Sequence, residues 1–413
     1  MKTTLFLLLS MIDTMHRCIR LALMILIAAD TGVYGAVTSE PLSAPEAIIA
    51  DMRSFPLEAQ GSVDTLLAFA AAPGASFTPC TVKPLVDFVR QACVTDSGWE
   101  MPKRDGAAGS AYVVTIKVPL SQYLALNFHP GIPDYAVFPA ALRYSTCLNS
   151  NDMQQAYACI ETGPTGTLPF VTARMTGMEE ITPNPESGCY FSYTNSRVFL
   201  RCKVEDRDVL FSCSGTLSPS TFSNRGVPIG PLDQALFYYS EKPGLNLTGM
   251  TWLLSQISRS TTLSVYIALS SNETAVATFA WLNAGWRGLN VTRANHILNT
   301  QITTLDYSRR IAQHSHVSAP LIASIVETVN AMSPAAVDVD YEKYLTYVRL
   351  WRDSDKMPPF KYGSLLKNLY DPKATAAIPL PQRRALLIQE RVRVLMDIPT
   401  WSNPVDNGAL AKH

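Results

Sequence analysis

The stretch CYFSYTNSRVFLRC, residues 189–202, sets two cysteines at equal distances from Asn195-Ser196. Read as a hairpin with Asn195 and Ser196 at the centre of a tight turn, it places Thr194 opposite Arg197, Tyr193 opposite Val198, Phe191 opposite Leu200 and Cys189 opposite Cys202. One face then carries Cys189, Phe191, Tyr193, Val198, Leu200 and Cys202. The other carries Tyr190, Ser192, Thr194, Arg197, Phe199 and Arg201. An apolar face and a mixed face are how a half-buried ribbon divides. In this register the two cysteines form a non-hydrogen-bonded pair, with Cα atoms about 4.5 Å apart, inside the disulfide range of about 4.4–6.8 Å. The reading therefore predicts a Cys189–Cys202 bridge. Its competitor is a pair of buried free thiols, which pack as small hydrophobes. A following strand, DVLFSC, is expected after a turn at Asp206-Arg207. It would set Cys213 opposite Leu200, a less well placed partner for Cys202.

The other cysteines follow from local pattern. TVKPLVDFVRQAC has Val82, Leu85, Val86 and Val89 at helical spacing. One helix there separates Cys80 from Cys93 by roughly 20 Å, too far to bridge. Cys147 and Cys159 flank CLNSNDMQQAYAC, whose polar middle reads as a loop that a bridge would close.

A disulfide needs an oxidising compartment, and the N-terminus supplies an argument for one. His16, Arg17 and Arg20 precede the apolar run Leu21 to Ala29, and Val33-Tyr34-Gly35 offers a cleavage site. With Met15 as the working start, residues 1–36 read as a signal peptide cut near Gly35 or Ala36. Asp13, Arg17, Arg20 and Asp30 interrupt the two apolar runs, so neither reaches the roughly 20 residues of a membrane span. The expected location is periplasmic or extracellular, with no stable span after signal removal.

The chain has 413 residues, 47% hydrophobic and 16% charged, ample material for a packed core. Thirty-four Lys plus Arg balance thirty-four Asp plus Glu. A neutral chain gives no general argument for nucleic-acid binding, and none is expected.

Along the chain, residues 37–107 read as helical, from SAPEAIIADMRSF through GSVDTLLAFAAA to the segment ending at Cys93. WEMPKRDGAAGSA reads as a linker. Residues 108–270 read as a β-rich domain, carrying AYVVTIKV, the 189–202 ribbon, DVLFSC, ALFYYS and TTLSVYIAL. Few regular helices intervene, so antiparallel pairing is expected. Residues 271–352 read as helical: Ser270 and Glu273 have the spacing of a capping box before TAVATFAWLNA, and RANHILNTQITTLDYSRRIAQ, APLIASIVETVNAM and PAAVDVDYEKYLTYVRLW follow. Residues 353–413 form a Pro-punctuated tail with one amphipathic helix, RRALLIQERVRVLMD. That tail is expected to pack loosely or to await a protein partner. The fold class is α+β, an antiparallel-rich β region flanked by helical regions.

The search for chemistry finds no P-loop, G-x-G-x-x-G, H-E-x-x-H or G-x-S-x-G signature. GAAGS (106–110) precedes a strand instead of opening a helix, so it lacks the amide array that holds phosphate. His314 and His316, with His296, are the one histidine grouping, but the pair falls where a helix should end, and cations are favoured there without a metal. Asp338, Asp340 and Glu342 lack the glycine and ligand density of a calcium loop and read as the acidic first turns of a helix. Trp281 and Trp286 read as helix-end packing ahead of a sugar platform. Asn246, Asn272 and Asn290 open N-x-T triplets. No cofactor and no metal site is expected. The residues support an exported, non-enzymatic binding, scaffold or envelope-associated module. The alternative is a secreted hydrolase with a dispersed site, in which His129 is the base and Asp134 its orienting acid.

Overall fold

The computed structural model describes residues 44–401 except 73, 165–168, 185–186, 230–233, 247–251, 287, 354–362 and 372–377. The expected signal segment, 1–36, lies outside the described residues. The chain divides into two compact units, Met1–Ala47 and Ile48–His413. Helix α1 (Ala44–Ala50) straddles that boundary, and every other element belongs to the second unit.

The second unit is α+β, built on one large sheet. In chain order its strands are β1 (Arg53–Ser54), β2 (Ser97–Arg104), β3 (Ala107–Ile116), β4 (Leu142–Cys147), β5 (Phe170–Ile181), β7 (Ser192–Val204), β8 (Arg207–Thr216), β11 (Gln256–Ser270), β12 (Glu273–Trp286) and β13 (Leu289–Asn290). Their spatial order is β1-β2-β3-β12-β11-β8-β7-β5-β4, with β13 on β12. All pairs are antiparallel except β1 with β2. Strands β6 (Cys189–Tyr190), β9 (Asn224–Pro228) and β10 (Phe237–Pro243) form a separate three-stranded sheet.

Both faces of the large sheet are covered. Helices α2 (Leu57–Ala71) and α3 (Lys83–Ala92) lie on one face, against Ala111, Val113, Val198, Leu200, Phe211 and Val265. The alternate residues, Tyr112, Val114, Phe199, Leu210, Tyr266 and Val276, point to the other core. That core is shared with α4 (Leu120–Phe128), α5 (Asp134–Val137), α6 (Ser150–Thr162), α7 (Ala294–Gln313), α8 (Ala319–Ala331), α9 (Pro334–Asp353), α10 (Gly363–Leu369) and α11 (Leu380–Leu395). Helix α7 is keyed to the sheet by Gln301, which accepts from Ser110 Oγ at 2.7 Å and donates to Thr278 O at 2.9 Å.

The opening stretch is not a hairpin. Ser192–Val204 is a single continuous strand, paired along its length with β5 on one side and β8 on the other. Asn195 and Ser196 sit within it, opposite Gly177 and Thr176. Cys189 belongs to the small sheet and packs with Phe191, Leu245 and Ile257. Cys202 lies on the α2–α3 face of the large sheet. The straight run of β7 from Ser192 to Cys202 alone spans about 33 Å, so the two cysteines do not face each other as a hairpin would set them, and both are free and buried. The tight turn falls later, at Glu205-Asp206, where Val204 faces Arg207 and Glu205 has φ +55°. Cys213 consequently opposes Val198 instead of Leu200.

Other expectations shift for physical reasons. WEMPKRDGAAGSA is not a linker but the β2–β3 hairpin, turning at Asp105-Gly106 with φ +48° and +78°, the left-handed pair that a two-residue turn requires. TAVATFAWLNA is strand β12 and not a helix, and Ser270 pairs with Glu273 across a turn at Ser271-Asn272 instead of capping. Because both faces are buried, this strand lacks polar alternation, and a short apolar run does not distinguish a buried strand from a buried helix. The Cys147–Cys159 segment is helix α6, capped by Asn149, whose side chain accepts from Asn151 N, and neither cysteine is bridged. The boundaries expected at 107/108 and 270/271 fall at the edges of two hairpins of the same sheet. Helix α11 does not lie loose: Ala385–Ile388, Val392 and Arg393 are buried in the core. Among the described residues no single helix is long and apolar enough to cross a membrane.

A candidate functional site

Because β7 runs straight through Asn195-Ser196, one of its faces joins Tyr193 to Arg197 and Phe199, which the hairpin reading set on opposite faces, and a polar cluster forms there. Tyr193, Asn195, Arg197 and Phe199 are at two-residue spacing and share that face. Glu179 on β5 stands opposite Tyr193. It accepts from Tyr193 Oη at 2.7 Å, from Asn195 Nδ2 at 2.6 Å and from Arg197 Nη2 at 3.0 Å. Arg197 Nη1 reaches Asp134 Oδ2, in the first turn of α5, at 2.8 Å. Burial alone would lower the Arg197 pKa. The adjoining Asp134 and Glu179 carboxylates outweigh it, so the guanidinium is held charged more firmly than in water. Burial, reinforced by Glu179, pushes the Tyr193 phenol well above its ordinary range.

Arg197 and Asp134 border a cavity of about 40 Å³, lined also by His129, Met153, Tyr157 and Phe199. That volume holds about one or two waters; small-molecule sites run to about 300–1,000 Å³. His129, the expected base, lies at this cavity, but the expected relation to Asp134 is not made. Its Nδ1 accepts from Gly131 N at 3.0 Å, and its ring meets Tyr157 edge-on at 5.6 Å. An accepting Nδ1 puts the proton of the neutral ring on Nε2, the reverse of the tautomer a His–Asp pair sets up. Asp134 is committed to Arg197. None of the residues lining the cavity is a Ser, Thr or Cys. The structure thus brings the two residues to one cavity without pairing them: His129 engages Gly131 and Asp134 engages Arg197.

A second buried cation was not legible in the sequence. Arg143 is almost wholly buried, with Nη1 at 2.9 Å from Glu180 and 3.2 Å from Glu241. Its guanidinium lies over the rings of Tyr239 and Tyr190, at 4.1 and 5.4 Å. It fastens the small sheet to β4 and β5. The pieces are 98 residues apart in the chain, so no local pattern announces them.

The remaining sequence candidates are placed individually. His314 ends α7 and faces His316 at 5.5 Å. Among the described residues no three His, Cys, Asp or Glu gather as a metal site. Asp338 pairs with Arg383, Asp340 with Lys343 and Glu342 with Arg349. Trp281 is buried and donates Nε1 to Pro102 O at 3.0 Å. Asn246 is 8% exposed and gives its Nδ2 to Gly226 O; Asn290 gives its own to Gly106 O. Asn272 stands exposed at the β11–β12 turn.

One end of the large sheet is different in kind. The chain leaves β8 through Leu217 and Phe222, enters β11 through Trp252 and Leu254, and passes from β12 through Leu289 and Val291. These six account for half of the twelve exposed large hydrophobics among the described residues. The first two loops are tied together: Ser220 N donates to Ile257 O, Ser223 N to Ser255 O, and Gln256 Nε2 to Ser220 O. The third adjoins them because Gln256 pairs with Gly285, beside β13. The six residues therefore form a neighbourhood instead of the scattered singles that any surface carries.

No protein-family model matches the chain, and no curated protein matches it. Among solved structures, the human StarD13 (DLC2) lipid transfer and protein localization domain overlaps 57% of this chain and 94% of its own length, at 6% identity and a TM-score of 0.24, an overlap too loose to carry a fold or a function.

Proposed function

We propose that this protein is an exported, non-enzymatic binding or scaffold module that works through a surface at one end of its large sheet. The observation that carries the reading is the gathering of Leu217, Phe222, Trp252, Leu254, Leu289 and Val291 on three adjoining loops. Exposed apolar side chains in one neighbourhood are costly to leave in water and are the usual mark of a contact surface. The C-terminal tail, first expected to offer such a surface, has its helix α11 engaged in the core. Export rests on the basic n-region and apolar run of residues 16–29.

Two measurements test it. Wild type should be retained on a phenyl resin more strongly than Leu217→Ser/Phe222→Ser, with both proteins melting alike. Equal retention would mean the loops are not a sticky surface in solution. Intact mass of protein from its host should begin near residue 36; a chain retaining residues 15–35 would remove export from the reading.

A further inference from the structure

We infer that Asn272 accepts an N-linked glycan, and that it alone of three N-x-T asparagines carries one in the folded protein. The inference rests on the export reading above, because N-linked sugars are added to secreted chains. Asn246, Asn272 and Asn290 each stand two residues before a threonine. What separates them is the work each side-chain amide does in the fold. Asn246 is 8% exposed, and its Nδ2 donates to Gly226 O at 2.8 Å. It also packs so closely on Gly188 that a Cβ there would lie 2.5 Å from the same nitrogen. A sugar has no room at this site. Both ends of the Asn290 side chain are engaged: Nδ2 donates to Gly106 O at 2.9 Å, and Oδ1 accepts from Thr292 N at 2.9 Å. Asn290 thereby ties β13 to the β2–β3 turn, and a sugar on its Nδ2 would separate them.

Asn272 is placed differently. It lies at the tip of the turn between β11 and β12, where Ser270 pairs with Glu273. It is exposed, its backbone N–H donates to Ser270 Oγ at 3.2 Å, and its side-chain amide has no partner among the described residues. A sugar there projects into solvent and displaces no contact. The tip also lies about 45 Å along β11 from Gln256, so a glycan leaves the contact surface at the other end of the sheet uncovered. Thr274, which completes the triplet, is buried and donates Oγ1 to Val118 O at 2.9 Å. The transfer therefore precedes folding, on the extended chain. In it, Asn272 Nδ2 attacks the anomeric carbon of a lipid-linked oligosaccharide diphosphate. An N–C bond forms and the bond from that carbon to the diphosphate oxygen breaks. The lipid diphosphate leaves with the bonding pair, and Nδ2 gives up one proton. Chains modified at Asn246 or Asn290 cannot remake the contacts above, so the folded product carries its sugar at Asn272.

The test is peptide mass mapping of the full chain as secreted by its host, before and after treatment with a glycan-removing amidase, which leaves aspartate where a sugar stood. The expected result is a glycan on the peptide that holds Asn272 and none on those that hold Asn246 or Asn290. Asn272→Gln should abolish the glycan and melt with wild type. Asn246→Gln and Asn290→Gln should keep the glycan and melt lower, because each disturbs a hydrogen-bonded amide. An unmodified Asn272 peptide, in protein whose N-terminus lies near residue 36, overturns the inference and leaves export standing. A sugar on Asn246 or Asn290 in folded protein overturns it as well. A chain that retains residues 15–35 and carries no sugar removes both readings.

Discussion

Arg197 donates to Asp134 at 2.8 Å across 63 residues of sequence, joining the middle of β7 to the first turn of α5. Removing the cation leaves Asp134 facing no charge and Glu179 buried on Asn195 and Tyr193 alone. Arg197→Met should therefore cost about 2 kcal/mol, toward the low side for a carboxylate stranded in a desolvated ion pair because Arg197 keeps some solvent contact. Glu179→Gln in the same protein should recover part of that loss. Urea unfolding of the two singles and the double measures the coupling; strictly additive effects would deny the network.

Glu180 supplies a pH dependence. Burial raises its pKa above the ordinary carboxylate range; Arg143 pulls it down without cancelling the effect, and Glu241 adds to the rise. The folded protein thus holds this proton at a pH where the unfolded chain has released it. Its contribution is most favourable below the ordinary carboxylate value and declines as pH climbs through the folded value. Wild type should lose stability relative to Glu180→Gln as pH rises above the ordinary carboxylate range. A difference that moves the other way would show the Arg143 ion pair dominating.

The thiols should fall into three classes. Cys80 is exposed, Cys147 and Cys159 are half-buried, and Cys93, Cys189, Cys202 and Cys213 are buried. Burial pushes Cys202 and Cys213 up to about 12 and raises Cys189; it takes Cys159 up to about 11 against the pull of Arg201. A thiol reagent should label Cys80 quickly in native, unreduced protein, Cys147 and Cys159 slowly, and the four buried sulfurs only in denaturant. Mass spectrometry of the labelled peptides reads this directly. A peptide linking Cys189 to Cys202 would contradict the continuous strand.

Gly109 is needed for contact, not for turning. A Cβ there would lie 2.6 Å from Trp281 Cδ1 and Nε1 and 2.8 Å from Met101 Cβ. Gly109→Ala should cost about 1–3 kcal/mol by forcing the indole off the β3 backbone, weakening its hydrogen bond to Pro102 O. Gly61, whose Cβ would meet nothing within 4 Å, should accept alanine without loss. Thermal melts of the two variants separate a packing requirement from a general effect of glycine removal.

Local pattern carried much of the architecture. Val82, Leu85, Val86 and Val89 specify the buried face of their helix by spacing alone, and Leu298, Ile302 and Leu305 do the same for α7. Ser333-Pro334 marks the break between α8 and α9 because proline starts a helix well and continues one badly. AYVVTI reads as a strand because β-branched and aromatic residues crowd it.

What lay beyond local pattern was decided by pairing and by burial on both faces. Symmetry about Asn195-Ser196 suggested a fold-back, yet neighbours on both sides, β5 and β8, hold those residues extended. The Ala-rich β12 becomes a strand because β3 and β11 flank it, and tertiary pairing overrides a marginal propensity. Asp134, Glu179 and Arg197 meet through strand register and a helix placed 63 residues away, a distance over which one-dimensional spacing carries no geometry. Residue order alone settles the long helical periodicities, which act over four residues at a time, whereas the turn expected at Asn195-Ser196 and the cap expected at Ser270 were overruled by strand pairing. Which ends of which strands gather, and so where apolar tips come to share a surface, is settled only when the sheet closes its register.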